Sequence, residues 1–494
     1  MNTASVRSAA PTRLLPVAVC GLIVPLGPLL LSEAASGSIP KVLVALAFAA
    51  ALPAAVVRPD LFVNAGLLLV ASDRFMARDV GALTLKPAYI AFGFAFLGAL
   101  VEWARRPERE ALRDVPRLLL VSAGGLLLLY VIAAGSADHR SAALRYLLVI
   151  GGGALVPIAA ILGVARTPER IARAAAFFVL GELLVALYGL YQFAAAYLDL
   201  PAPVPATSTL PNSTTGVKRV DGISLEAAYH AAYAVTGLPL IYSDAIRRVR
   251  RIHRRLSPTL IAAVVTLAFF LTVSRAGYLA LPFILLGVWL LHRRSEGSTE
   301  THSSLPTLAV VVGVGVLFAV VAATRLHILG PIGDHLKNLL NPNEQTSNSV
   351  RVGLYDHVVD IVRDHPWLGI GPDNLGYVLP GYGVAVFPGA EHTASANDIW
   401  LQGAADAGLL TIPFMAGVIW ATLGLTRRRG TFESRTLALG AALFLLVSGA
   451  LVSFMWDMKF WAVLGLAVVA QRAPPSTSAP PLIQYPASPG PDRT

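Results

Sequence analysis

Apolar runs broken by short polar stretches set the pattern of this chain from residue 13 to residue 470. A bilayer core takes about 20 apolar residues per helix, because backbone groups in lipid must be satisfied within the segment. About fourteen runs reach or approach that length, near 13–32, 40–57, 61–72, 87–103, 117–134, 144–164, 174–197, 228–243, 257–273, 276–292, 305–323, 398–424, 437–453 and 456–470. The third is short and reads as a re-entrant segment or part of a broken helix. The pattern predicts an all-α polytopic membrane protein of about 12–14 transmembrane helices. One long polar region interrupts it, Asn341 to Gln402, with Arg351, Asp356, His357, His365, Asp373, Glu391, His392 and Asn397 among repeated glycines and prolines. The expected organisation is spans 1–11 over 1–323, a large polar loop over 324–397, C-terminal spans over 398–472 and a Pro/Ser-rich tail over 473–494. The tail has too little apolar content to pack.

Composition agrees. The chain is 55% hydrophobic and 14% charged, where soluble domains carry about 25% charge. Its net charge of +10, from 39 Lys+Arg against 29 Asp+Glu, would raise nucleic acid as a partner for a soluble protein. Here the arginines gather in short loops. With the N-terminus in the cytoplasm and alternating spans, the dense loops at 105–117, 166–173, 247–255, 293–294 and 427–435 all fall inside. The charge therefore reports membrane topology, with no nucleic-acid partner. Cys20 is the single cysteine and lies in the first run, so there is no intrachain disulfide framework and no cysteine metal site. That run, preceded by Arg7 and Arg13, reads as an uncleaved first helix.

The same alternation leaves 73–86, 201–226, 274–275 and 325–397 on the opposite, external face. Nucleotides are scarce there, and the chain has no P-loop or GxGxxG in a strand–helix setting. An external enzyme needs a substrate that arrives activated. Within the large loop, SVRVGLYDHVVDIVRDHP predicts an amphipathic helix whose apolar face is Val350, Leu354, Val358, Ile361 and Val362. His365–Pro366 ends it, and GIGPDNLG supplies a tight glycine turn.

These stretches resemble the O-antigen ligase/polymerase family of bacterial envelope polysaccharide assembly. LTVSRAGYLAL, Leu271 to Leu281, is similar to the family's Ser-Arg-Gly/Ala turn between helices. Ser349 to Gly376 resembles its Arg-containing helix followed by a His-Pro-x-x-Gly-x-Gly turn. NDIWLQGAADAGLLTIPF, Asn397 to Phe414, resembles the segment that re-enters the membrane. KRVDGISLEAAYHAAY, Lys218 to Tyr233, resembles an Arg-x-x-Gly element. The family's last motif carries a His-Asn pair; here Asn397-Asp398 stands in that place and His392 lies five residues before Asn397. The resemblance implies transfer or polymerisation of a glycan carried on undecaprenyl pyrophosphate, at the periplasmic face of the inner membrane. The acceptor is a lipid A core, a second lipid-linked repeat or a protein. It implies no metal and no cofactor, both termini in the cytoplasm, and lipid bilayer, donor and acceptor as partners.

A pyrophosphate leaving group concentrates negative charge, and guanidinium groups in a site of low dielectric can hold it by bidentate bonds. Arg219 and Arg275 lie on the external face, where the positive-inside rule disfavours them. With Arg351, His230 and Asn397 they are the candidate substrate-binding residues. The acceptor hydroxyl needs a base; His392 is the first candidate and Glu391 the second. His365 is expected to shape the turn. A transporter of small anions or glycan intermediates is the alternative, followed by a non-catalytic partner in polysaccharide assembly. The spans are poor in charge, with Glu182 as the acid well inside a run, which argues against transport.

Overall fold

The computed structural model describes residues 11–72, 77–80, 83–105, 115–202, 207–208, 218–224, 227–238, 240, 258–272, 274–293, 347–386, 394–428, 432–449 and 455–471. Among the described residues the helices before the large loop are α1 Pro11–Ala35, α2 Lys41–Val57, α3 Pro59–Leu69, α4 Pro87–Arg105, α5 Arg117–Ser136, α6 Arg140–Val164, α7 Pro168–Leu198, α8 Ala227–Gly237, α9 Pro258–Leu271 and α10 Arg275–Arg293. Then come α11 Ser347–Asp364, α12 Ile399–Ala407, α13 Thr411–Arg427, α14 Phe432–Leu443 with a π turn at Phe444–Ser448, and α15 Met458–Ala470. Two small hairpins, β1 Arg78–Val80 with β2 Leu83–Leu85 and β3 Thr207–Ser208 with β4 Lys218–Arg219, are antiparallel. The protein is thus an all-α polytopic membrane protein. Among the described residues four helices are long and apolar enough to cross a membrane, or five with one bent pair counted as a span. Shorter apolar helices include Leu260–Leu271, Ser434–Leu446 and Met458–Ala470. The span expected over 305–323 and the tail lie outside the described residues.

The bent pair is α2 and α3, turned by 107°. A residue before proline disfavours the helical region, and Arg58 before Pro59 sits at φ −135°, ψ 57°. Pro59 then starts α3, where its missing N–H costs nothing. Asp60 is buried and takes a two-pronged bond from Arg58, Nε at 3.0 Å and Nη2 at 3.2 Å, with Arg173 Nη1 of α7 at 3.3 Å. The bend agrees with the expectation of a re-entrant segment or a broken helix here. The break is possible because α4 passes close to it: a Cβ on Gly98 would meet the Ala55 carbonyl and the Pro59 ring.

At the centre is α15, every residue of which is buried. A helix apolar on all sides belongs in the interior. It packs against the second half of α6, α7 and α14. Outer helices keep a lipid face, as α5 does with Leu118, Val121, Leu128 and Val131.

The run expected as one span over 398–424 is two helices. The break is Gly408, at φ +85°, where any side chain would strike the Trp367 carbonyl. The nine residues of α12 extend about 13 Å, too short to cross a bilayer. Instead α12 packs under α11, whose Val358, Ile361 and Val362 meet Ala404 and Ala405 in a small core of their own. The amphipathic helix therefore rests on the first half of the re-entering segment. The side chain of Val350 is outside the described set.

Gly98→Leu drives a side chain into the α2–α3 break, and overpacking of this kind costs roughly 1–3 kcal/mol. A lower thermal midpoint is expected for the purified variant in detergent. Gly93→Leu, on the same helix with nothing within 4 Å, is expected to leave the midpoint unchanged.

Candidate functional site

The segment after β4 runs as irregular backbone among helices, and each N–H from 220 to 222 has an acceptor. Val220 N donates to the carbonyl of Leu271, the last residue of α9, at 3.1 Å. Asp221 N and Gly222 N both donate to the buried Gln192 Oε1 of α7, at 3.0 and 2.9 Å. His230, in the first turn of α8, is buried with its Nδ1 3.2 Å from where a Gly222 Cβ would stand. Its ring is also within hydrogen-bonding reach of the Val220 backbone. Past Leu271 the chain turns: Thr272 Oγ1 donates to Phe269 O at 2.7 Å, and the buried Ser274 accepts from Gly277 N and Tyr278 N at the start of α10. Arg275 is the first residue of α10. Ala231 of α8 packs against Gly277.

The structure thus brings the backbones of Arg219 and Arg275 and the ring of His230 to one corner. One hydrogen bond, Val220 N to Leu271 O, joins the two arginine segments. His230 packs into this corner as its internal support. Arg351 lies on α11, where the backbone is described. Glu391 and His392 lie outside the described residues.

The large loop is tied to the bundle by its turn. His365 N closes α11 on Ile361 O, with the His365 ring exposed. The Gly369, Gly371 and Asp373 backbones are left-handed, at φ +63°, +91° and +59°. A side chain on Gly371 would collide with Ala137 at the end of α5. Ile370 N and Gly371 N bond to the Ala405 and Asp406 carbonyls at 2.8 and 3.0 Å. Asp373 pairs with Arg145 Nη2 of α6 at 2.6 Å. The buried Asn374 accepts His139 N at 3.0 Å, and the His139 ring stacks on Tyr377 at 4.1 Å. At the rim, Tyr382 donates to Asp364 at 2.6 Å, which pushes the phenol up to about 12.

Asn397 follows in a left-handed conformation at φ +54°, folded on Ser395 by bonds of 3.1 and 3.2 Å. Asp398 Oδ1 caps α12, accepting Trp400 N and Leu401 N at 2.8 Å each. Burial nevertheless lifts its carboxyl above the ordinary range. Ile399 N bonds to Gly449 O at 3.0 Å, and the π turn before Gly449 packs against α8 and α10. Asn397 is therefore linked through Gly449 to the helices that carry His230 and Arg275.

Asp406 and Lys459 are buried charged residues that, like Asp60, escaped the sequence reading. Asp406 sits in α12 with Gln402 Nε2 on Oδ1 at 2.8 Å and Tyr130 Oη on Oδ2 at 3.3 Å. Gln402 Oε1 in turn accepts Ala396 N at 2.8 Å. A hydrogen-bond chain so runs from α5 to the residue before Asn397. Lys459 is buried at the start of α15, with Nζ 3.3 Å from Asp457 and 5.3 Å from the centre of the Tyr229 ring. Glu182 is thus not alone as a charged residue inside an apolar run. The signal for both was a single charged residue within an otherwise apolar stretch.

Burial pushes the Asp406 carboxyl up to about 8, against about 3.9 for a free aspartate. The folded state keeps a proton that the unfolded chain gives up. Stability tied to this group is complete below pH about 4 and falls as pH rises to about 8. Thermal midpoints measured from pH 5 to 9 should drop with rising pH, and Asp406→Asn should flatten that slope. Protection factors of the amides in 394–402, corrected for intrinsic exchange, should fall over the same range in the wild type and stay level in Asp406→Asn.

Residues 258–413 match the O-antigen ligase family model. The stretch begins at α9 and ends in the first turn of α13, so it takes in Arg275, the amphipathic helix, the glycine turn and α12. Lys218 to Tyr233 and the N-terminal spans lie before it. No curated protein matches the chain. The match over residues 258–413 supports an assignment to the O-antigen ligase/polymerase family.

Proposed function

We propose that this protein transfers a glycan from a polyprenyl pyrophosphate carrier, undecaprenyl in bacteria, to an acceptor at the periplasmic face of the inner membrane. Ligase-like glycan transfer is what the family supplies. The donor class, the face and the residue roles are our reading. The observation that carries it is the hydrogen bond that joins the Arg219 and Arg275 segments.

In the proposed reaction the acceptor hydroxyl attacks the anomeric carbon, and the bond from that carbon to the diphosphate oxygen breaks. Negative charge grows on the departing diphosphate. Arg219 and Arg275 hold it, and the clamp on 220–222 keeps one of them from having to reorganise as charge develops. Guanidinium groups suit the role because their donors form a planar fork and stay charged. His392 takes the acceptor proton, with Glu391 as second candidate. Asn397 and Arg351 line the acceptor side. The hydrogen-bond chain through Asp406 and Gln402 fixes the segment that follows His392.

The transport alternative has one observation in its favour. Glu182 is buried in α7 beside Gly237, with neither oxygen hydrogen-bonded among the described residues. Solute flux into proteoliposomes free of glycan would support that alternative.

With purified protein, lipid-linked glycan and acceptor, Arg275→Ala is expected to lower transfer by about 10²–10³-fold. Arg219→Ala should act in the same direction, and Arg275→Lys should recover only part of the rate because the planar fork is lost. His392→Ala should lower the rate at saturating donor. Transfer at the wild-type rate in Arg275→Ala would remove that residue from the mechanism.

A further inference from the structure

The central helix α15 is apolar except in its first turn. There Lys459, its second residue, is buried to 1% exposure. Burying an ion pair rarely stabilises a protein relative to apolar residues of similar size. An ammonium in a membrane bundle is a functional-site candidate by default.

Its neighbours connect it to the arginine corner. Nζ lies over the ring of Tyr229, and Tyr229 precedes His230, which packs on Gly222. Gly222 belongs to the clamp beyond Arg219. Asp457 holds the ammonium at 3.3 Å with Oδ2, longer than the roughly 2.7–2.9 Å of a well-formed charge-assisted bond. Its other oxygen is committed to capping α15, accepting Lys459 N at 2.7 Å. Lysine is a compact charge on a flexible stem with rotatable donors, suited to following a phosphate as it moves. The Arg145–Asp373 pair is shorter at 2.6 Å and joins two elements of the fold.

We infer that Lys459 is a third basic residue of the donor site, exchanging Asp457 for the diphosphate of a polyprenyl pyrophosphate on the side of His230 away from β4. This rests on the donor reading above. The donor's diphosphate diester carries two negative charges, which two guanidinium groups match; the polyprenyl diphosphate that departs gains a further charge, and Lys459 balances it. Because it faces the leaving group, it acts on donor affinity and on release of the polyprenyl pyrophosphate product.

The test is binding of farnesyl pyrophosphate to full-length protein in nanodiscs, with Lys459→Met, Lys459→Arg, the double variant Asp457→Asn/Lys459→Met, and Arg275→Ala. Lys459→Met should bind about tenfold more weakly, the loss of about one charge-assisted bond. Lys459→Arg should keep most of the affinity. The double variant removes both charges and keeps the cap oxygen. If Lys459 serves only to balance Asp457, the double variant regains wild-type affinity, and the inference is overturned. If Lys459 meets the ligand, the double variant stays weak. Wild-type affinity in Lys459→Met with loss in Arg275→Ala sinks the Lys459 role alone. No binding by the wild type sinks the donor reading, and this inference with it.

Discussion

Irregular backbone can lie within a membrane bundle only where its N–H groups find acceptors inside the protein. Two stretches meet this demand, and both carry candidate chemistry. After β4, Val220, Asp221 and Gly222 bond to Leu271 O and Gln192 Oε1. After α11, Gly369, Ile370 and Gly371 bond to carbonyls of His365, Ala405 and Asp406. In each case satisfying the backbone fixes where a functional segment sits. The first holds the Arg219 segment against the approach to Arg275. The second seats the large loop on α12.

The short helix α12 links the two. Its first N–H bonds to Gly449, next to the helices of the arginine corner, and its last carbonyls receive the glycine turn of the loop. The buried Asp406 side chain ties it to α5 and, through Gln402, to the backbone before Asn397. Arg145–Asp373 and the His139–Tyr377 stack fasten the same turn to α6 and its N-cap residue. The described part of the loop, 365–382 with 394–398, is therefore fixed to the bundle. The proposed reaction calls for such fixed geometry, since donor and acceptor must meet the same groups.

Much of this was legible in the sequence. Run length and composition declare a helical membrane protein, and the short third run, 61–72, marks the re-entrant or broken segment. The heptad-like spacing of Leu354, Val358, Ile361 and Val362 identifies the apolar face that the structure buries or half-buries. Arg219 and Arg275 were expected on one face, but the bond that joins their segments, Val220 to Leu271, has no local signature. The division at Gly408 was hidden because the residues on both sides are apolar, and a hydropathy reading does not see a left-handed glycine pressed on Trp367. Asp406 and Lys459 were passed over for a related reason. Each is one charge in an apolar run, and its partners come from elsewhere: Tyr130 lies in α5 and Tyr229 at the start of α8.

The central claim is that a lipid-borne diphosphate rests where β4 and the start of α10 meet. The most direct measurement is an electron cryomicroscopy structure of the full chain in nanodiscs with undecaprenyl pyrophosphate. Diphosphate density within hydrogen-bonding distance of Arg219 and Arg275, with the loop turn still seated on α12, is the predicted result. Diphosphate density at the arginine-dense loops of the opposite face, with the corner empty, would contradict the account.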